Sequence, residues 1–80
     1  VIVRLTVAAG AEMDGGTLGE RGVRTETGMR VIAVRRPDDD WVVSPGPDTR
    51  VDAGDVLIAK GTRGSATRLA GLVGGEASFE

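Results

Sequence analysis

Eighty residues make one domain with a thin core, since a chain of this size buries only about 60–65% of the surface its unfolded form exposes. Hydrophobic residues are 40% and aromatic residues 2%, Trp41 and Phe79 alone, so the core has to be aliphatic and there is no platform for stacking bases. The net charge of −2 gives no footprint for DNA or RNA, and the absence of Cys and His removes most designs for nucleophilic, acid–base and metal catalysis.

The first run, Val1-Ile2-Val3-Arg4-Leu5-Thr6-Val7, alternates, with Val1, Val3, Leu5 and Val7 on one face, and reads as a strand. It begins at once, without an initiator methionine, as expected for a segment of a longer polypeptide. Residues 8–16 are small and polar, a loop. Thr17-Leu18-Gly19-Glu20 matches a capping box, with Thr17 and Glu20 satisfying each other's backbone N–H groups. The helix it opens is short, because Gly19 and Gly22 weaken it, and Gly28 ends it.

Residues 29–36 form a second strand. Pro37-Asp38-Asp39-Asp40 is a hairpin tip built from turn formers, and three adjacent carboxylates there cannot all face one cation. Trp41–Ser44 is a third strand, stopped by Pro45-Gly46-Pro47-Asp48. The run 51–55 is a tight turn with Gly54 at positive φ, its aspartates serving turn chemistry. Val56–Ala59 is the fourth and most buried strand, and Gly61 breaks it. A last helix runs from Thr62 or Ser65 to Val73, with Ala66, Leu69, Ala70 and Val73 on one face, and Gly74 and Gly75 stop it.

The order is therefore β-α-β-β-β-α, an α+β fold with a mixed four-stranded sheet and two helices. The domain spans 1–75 and a flexible tail spans 76–80. No apolar run approaches the roughly 20 residues of a spanning helix, and no signal peptide opens the chain, so a cytoplasmic domain is expected. Lys60 is the single lysine, and no hydroxyl has a plausible base, so no catalytic residue, metal ligand or cofactor is assigned and the chain reads as a non-enzyme. Arg24, Arg30, Arg35 and Arg36 are the charges to explain. Guanidinium forks suit phosphate and purine edges; the alternative is surface pairing with Glu20, Glu26 and Asp38–Asp40.

Gly16-Thr17-Leu18-Gly19-Glu20, Gly22-Val23-Arg24, Gly28 and Val31-Ile32-Ala33-Val34-Arg35-Arg36 resemble the first half of the TrkA C-terminal domain, also called the C-terminal lobe of the regulator of potassium conductance (RCK_C). Pro45-Gly46-Pro47-Asp48-Thr49, Ala53-Gly54-Asp55-Val56-Leu57-Ile58-Ala59 and Gly61 resemble its second half. The resemblance implies a homodimer, tethered to or associated with a membrane transporter or channel, that regulates potassium or other cation transport. In some members the dimer cleft binds cyclic di-AMP. Carried over by position, the ligand-binding residues would be Leu18, Val23, Arg24, Arg30 and Pro45. Arg30 stands where the nucleotide binders carry Asn, and no histidine precedes the proline turn. Two functions follow, a lobe that senses a small nucleotide ligand or a structural dimerisation lobe with no ligand. Neither includes nucleic acid as a partner.

Overall fold

The computed structural model describes residues 1–74 and 78–79. Four strands form the body of the sheet: β1 (Ile2–Thr6), β3 (Arg30–Arg35), β4 (Trp41–Val43) and β6 (Val56–Lys60). Two short strands, β2 (Gly16–Thr17) and β5 (Arg50–Val51), form a separate ribbon. One helix, α1 (Arg63–Val73), packs on the sheet, and β7 (Ser78–Phe79) closes one edge beside β1. The main sheet has the order β4-β3-β6-β1-β7.

The α+β class is as expected, but every pairing in the sheet is antiparallel rather than mixed. β1 and β3 do run parallel to each other. β6 inserts between them and is antiparallel to both, so the parallel strands never touch. In the tail expected at 76–80, residues 76, 77 and 80 lie outside the described residues, as does Gly75.

Alternation sorts the sheet residues as the sequence suggests. Val3, Leu5 and Val7 face inward with Leu57, Ala59 and Val34, and all are buried. α1 covers this face with Ala66, Leu69, Ala70 and Val73. Thr62 caps the helix by accepting the Ser65 N–H at 3.1 Å, and Gly74 ends it in the left-handed conformation. Met13 and Met29, each fully buried, fill gaps among the aliphatic side chains of the core. A Cβ at Gly61 would lie 2.3 Å from the Met29 sulfur, so Gly61 is required for Met29 to pack as well as to end β6.

The first helix is a single π-helical turn, Val23–Thr27, set between Gly22 and Gly28, both left-handed. β-branched Val23, Thr25 and Thr27 are poor α-formers, and the two glycines supply the reversals that bound so short a turn. The Thr27 hydroxyl, buried, donates to the Val23 carbonyl and accepts from the Met29 N–H. Thr17 does accept the Glu20 N–H at 3.0 Å, but it caps a turn and not an α-helix.

The 50–55 segment is organised by one carboxylate. Asp55 is buried; it pairs with the Arg36 guanidinium and accepts the Asp52 N–H at 2.9 Å. Arg36 also donates to the Arg50 carbonyl at 2.9 Å. Nearby, Asp14 accepts the N–H groups of Gly10 and Ala53 at 3.0 and 2.9 Å, which hold its carboxyl below the usual aspartate range.

Gly54 has φ +90°, and a Cβ there would lie 3.2 Å from the Pro37 ring. Gly54→Val is therefore expected to destabilise the domain by roughly 1–3 kcal/mol. Gly71→Ala, in open space on the helix, should stabilise it by up to about 1 kcal/mol. Urea midpoints moving in opposite directions check both.

Candidate functional site

The β2–β5 ribbon continues past its last residues as a zipper. The Leu18 N–H donates to the Thr49 carbonyl at 3.0 Å and the Gly19 N–H to the Pro47 carbonyl at 2.7 Å. Gly46–Thr49 is a turn closed by the Thr49 N–H on the Gly46 carbonyl at 3.1 Å. Ser44, with φ 52°, swings the chain out of β4 into Pro45. Opposite this turn stands the π-turn, whose buried Val23 and Thr27 anchor it while Arg24 and Thr25 remain exposed. Between the two, beside the start of β3, lies a cleft of about 390 Å³.

Leu18, Val23, Arg24, Arg30 and Pro45 all line this one cleft. Their exposure to it differs. Leu18 and Val23, 8% and 3% exposed, are core residues that shape the cleft and show little surface to it. The apolar surface comes instead from Pro45 and Val31, half-buried, and exposed Pro47. Gly19, Gly22, Thr25, Val31, Gly46 and Pro47 were not assigned from the sequence. The signal available for Gly19 was its place in a glycine-rich turn. A Cβ on it would lie 2.8 Å from the Pro47 carbonyl oxygen, so only glycine permits the zipper to close.

The electrostatics of the cleft are simple. Arg24 and Arg30 are exposed at its rim, no carboxylate lines it, and among the described residues neither guanidinium has an ion-pair partner. Two exposed guanidinia beside apolar ring and aliphatic surface suit an anion with a flat apolar body. Surface pairing accounts for Arg35, 4.0 Å from Asp39, and a buried partner for Arg36.

Residues 2–74 match the TrkA-C domain family. The chain belongs to that family. Its TrkA-C domain is 34% identical over 73 residues to potassium channel protein 1 of Methanocaldococcus jannaschii. It is 33% identical over 63 residues to the K(+)/H(+) antiporter subunit KhtT of Bacillus subtilis. These alignments cover 91% and 79% of this chain but span only 22% and 38% of those proteins.

Among solved structures, the TrkA-C domain superposes on the RCK_C domain dimer of S. agalactiae BusR in complex with cyclic di-AMP, with TM-score 0.81 and 25% identity over 89% of this chain and 86% of that one. It also superposes on the RCK_C domain of the potassium transport protein KtrA in complex with cyclic di-AMP, with TM-score 0.75 and 29% identity over 86% and 78%. A further BusR structure corrects the exclusion of nucleic acid: it is a complex with promoter DNA, matched at TM-score 0.81 and 25% identity. The charge of one domain constrains that domain's surface alone, and this chain covers 34% of the BusR chain in that complex. Net charge was therefore no ground for excluding nucleic acid as a partner of a protein that carries a TrkA-C domain.

The zipper beside the cleft supplies a direct check. Gly19→Ala is expected to force the Gly19–Pro47 hydrogen bond apart and to cost about 1–3 kcal/mol. Gly64→Ala, with nothing within 4 Å, is the reference. An unchanged denaturation midpoint for Gly19→Ala would show that the zipper does not hold the cleft.

Proposed function

We propose that this TrkA-C domain is a cytosolic, non-catalytic regulatory lobe of a potassium or other cation transport system, and that it binds cyclic di-AMP in the cleft between the π-turn and the Pro45–Pro47 turn. The observation that carries this reading is convergence. Five positions carried over from the family resemblance line one cleft, which holds two guanidinia without carboxylate partners among the described residues. Similar domains of BusR and KtrA have been solved with this dinucleotide. Cyclic di-AMP carries two phosphates and two flat bases. The guanidinia of Arg24 and Arg30 would take the phosphates, and Pro45, Val31 and Pro47 would bear the bases.

A second copy would complete the site. A two-fold symmetric ligand fits a two-fold interface, in which each copy offers the same half-cleft. A ligand shared in this way changes the packing of the two lobes only through its different affinity for their arrangements, and a tethered channel or transporter would feel that change. The alternative, a dimerisation lobe without a ligand, is less well supported because the cleft is open and not filled by side chains.

Calorimetric titration of cyclic di-AMP tests the assignment. Arg24→Ala should cost about 1.5–3 kcal/mol, or roughly ten- to a hundredfold in affinity, while Arg68→Ala, on the exposed side of α1, should leave binding unchanged. Light scattering on the same samples should give a dimer at saturation, against a protomer mass of 8.2 kDa. No heat with the wild-type domain at high micromolar ligand would remove cyclic di-AMP from the proposal. Equal losses in both variants would mean that diffuse positive charge attracts the ligand and that the cleft is not its site.

A further inference from the structure

The cleft between the π-turn and the proline turn is rich in hydrogen-bond donors and poor in acceptors. Its charged side chains, Arg24 and Arg30, carry N–H donors and no acceptor. No Asp or Glu lines it. The chain contains no Asn, Gln or His at any position, so a second copy would bring none either. The one side-chain acceptor among the lining residues is the Thr25 hydroxyl on the π-turn, and its hydrogen is given to the Gly22 carbonyl at 3.2 Å. The backbone adds little. The carbonyls of Leu18, Gly19, Gly22, Arg24, Gly46 and Pro47 already accept N–H groups of the chain at 2.6–3.2 Å.

Purine bases differ in what they require of such a surface. The N7 side of adenine presents an acceptor and a donor, the N6 amino group, and its bidentate partner is an Asn or Gln amide. The same side of guanine presents two acceptors, N7 and O6, and its bidentate partner is a guanidinium. A hydroxyl whose hydrogen is already engaged cannot serve both groups of adenine. An N6 amino group enclosed in the cleft without an acceptor weakens binding.

Arg30 is placed to read the base. It precedes Val31, which with Pro45 and Pro47 supplies the apolar surface of the cleft. It is exposed and has no ion-pair partner among the described residues. The guanidinium fork has two donor edges, so one can hold a phosphate oxygen while the other meets a base. Building on the assignment of the cleft to a cyclic dinucleotide, we infer that Arg30 makes it select guanine over adenine. Cyclic di-AMP is then held by its phosphates and the apolar surface alone. A guanine in the same place adds a bidentate pair in each half-cleft.

Calorimetric titration of cyclic di-GMP, cyclic GMP-AMP and cyclic di-AMP compares the bases directly. The wild-type domain should bind cyclic di-GMP about tenfold or more tighter than cyclic di-AMP. The mixed dinucleotide should fall between them, since each half-cleft reads one base. Arg30→Gln, an exchange of guanidinium for amide at an exposed position, should reverse the order. Arg24→Ala should weaken all three and keep the order. Cyclic di-AMP binding as tightly as cyclic di-GMP, or more tightly, would overturn guanine selection while the cleft remained a cyclic dinucleotide site. An order unchanged in Arg30→Gln would do the same. Binding of none of the three would overturn guanine selection and the cyclic dinucleotide assignment together.

Discussion

The Asp55 carboxylate, buried at the start of β6, is held by the Arg36 guanidinium and the Asp52 amide, and the same guanidinium reaches the Arg50 carbonyl. Desolvating an ion pair is costly, and removing one partner from a buried pair leaves a charge stranded, typically at a cost of about 3–5 kcal/mol. The contact therefore constrains geometry more than it adds net stability. It fixes the end of β3 against β5, and β5 carries β2. Beyond that ribbon, Leu18 and Gly19 are zipped to Thr49 and Pro47, which form one side of the cleft. Asp55 acts through its backbone as well: its carbonyl accepts the Val7 N–H at 2.9 Å, and the Gly54 N–H donates to Val7. The end of β1 is tied to the same turn.

Much of this fold is legible in the sequence because it rests on local chemistry. Alternation of Val3, Leu5 and Val7, the helix cap at Thr62 and the left-handed glycines at 28, 54 and 74 are signals that residues carry with them. The β2–β5 ribbon was not legible. Two residues per strand show no periodicity, and the pairing of Gly16 with Val51 exists only once the chain has returned. The Arg36–Asp55 pair was missed for the same reason. Asp55 reads as a turn residue, and nothing local says that the turn is buried against an arginine from β3.

The cleft shows the same division. Its five assigned positions came from a family resemblance and do line one cleft, to which Leu18 and Val23 contribute as core residues with little open surface. The thin core of so short a chain draws in the aliphatic side chains beside it. Both residues are drawn into it, and the prolines of the following turn take over the apolar wall. Two glycines read as breakers are close-approach positions: Gly19, read as a helix weakener, against Pro47, and Gly61, read as a strand breaker, against Met29.

A buried pair beside β6 holds a cleft built from other segments, and hydrogen exchange in Asp55→Asn measures that coupling most directly. Asn keeps an acceptor for the Asp52 amide but removes the charge that fixes Arg36. The Leu18 and Gly19 amides, bonded across the zipper, should then exchange markedly faster than in the wild-type domain, while amides of the β1–β6 ladder keep their protection. If the Leu18 and Gly19 amides exchange as they do in the wild type, or if the ladder loses protection in step with them, the pair does not position the cleft and the account is contradicted.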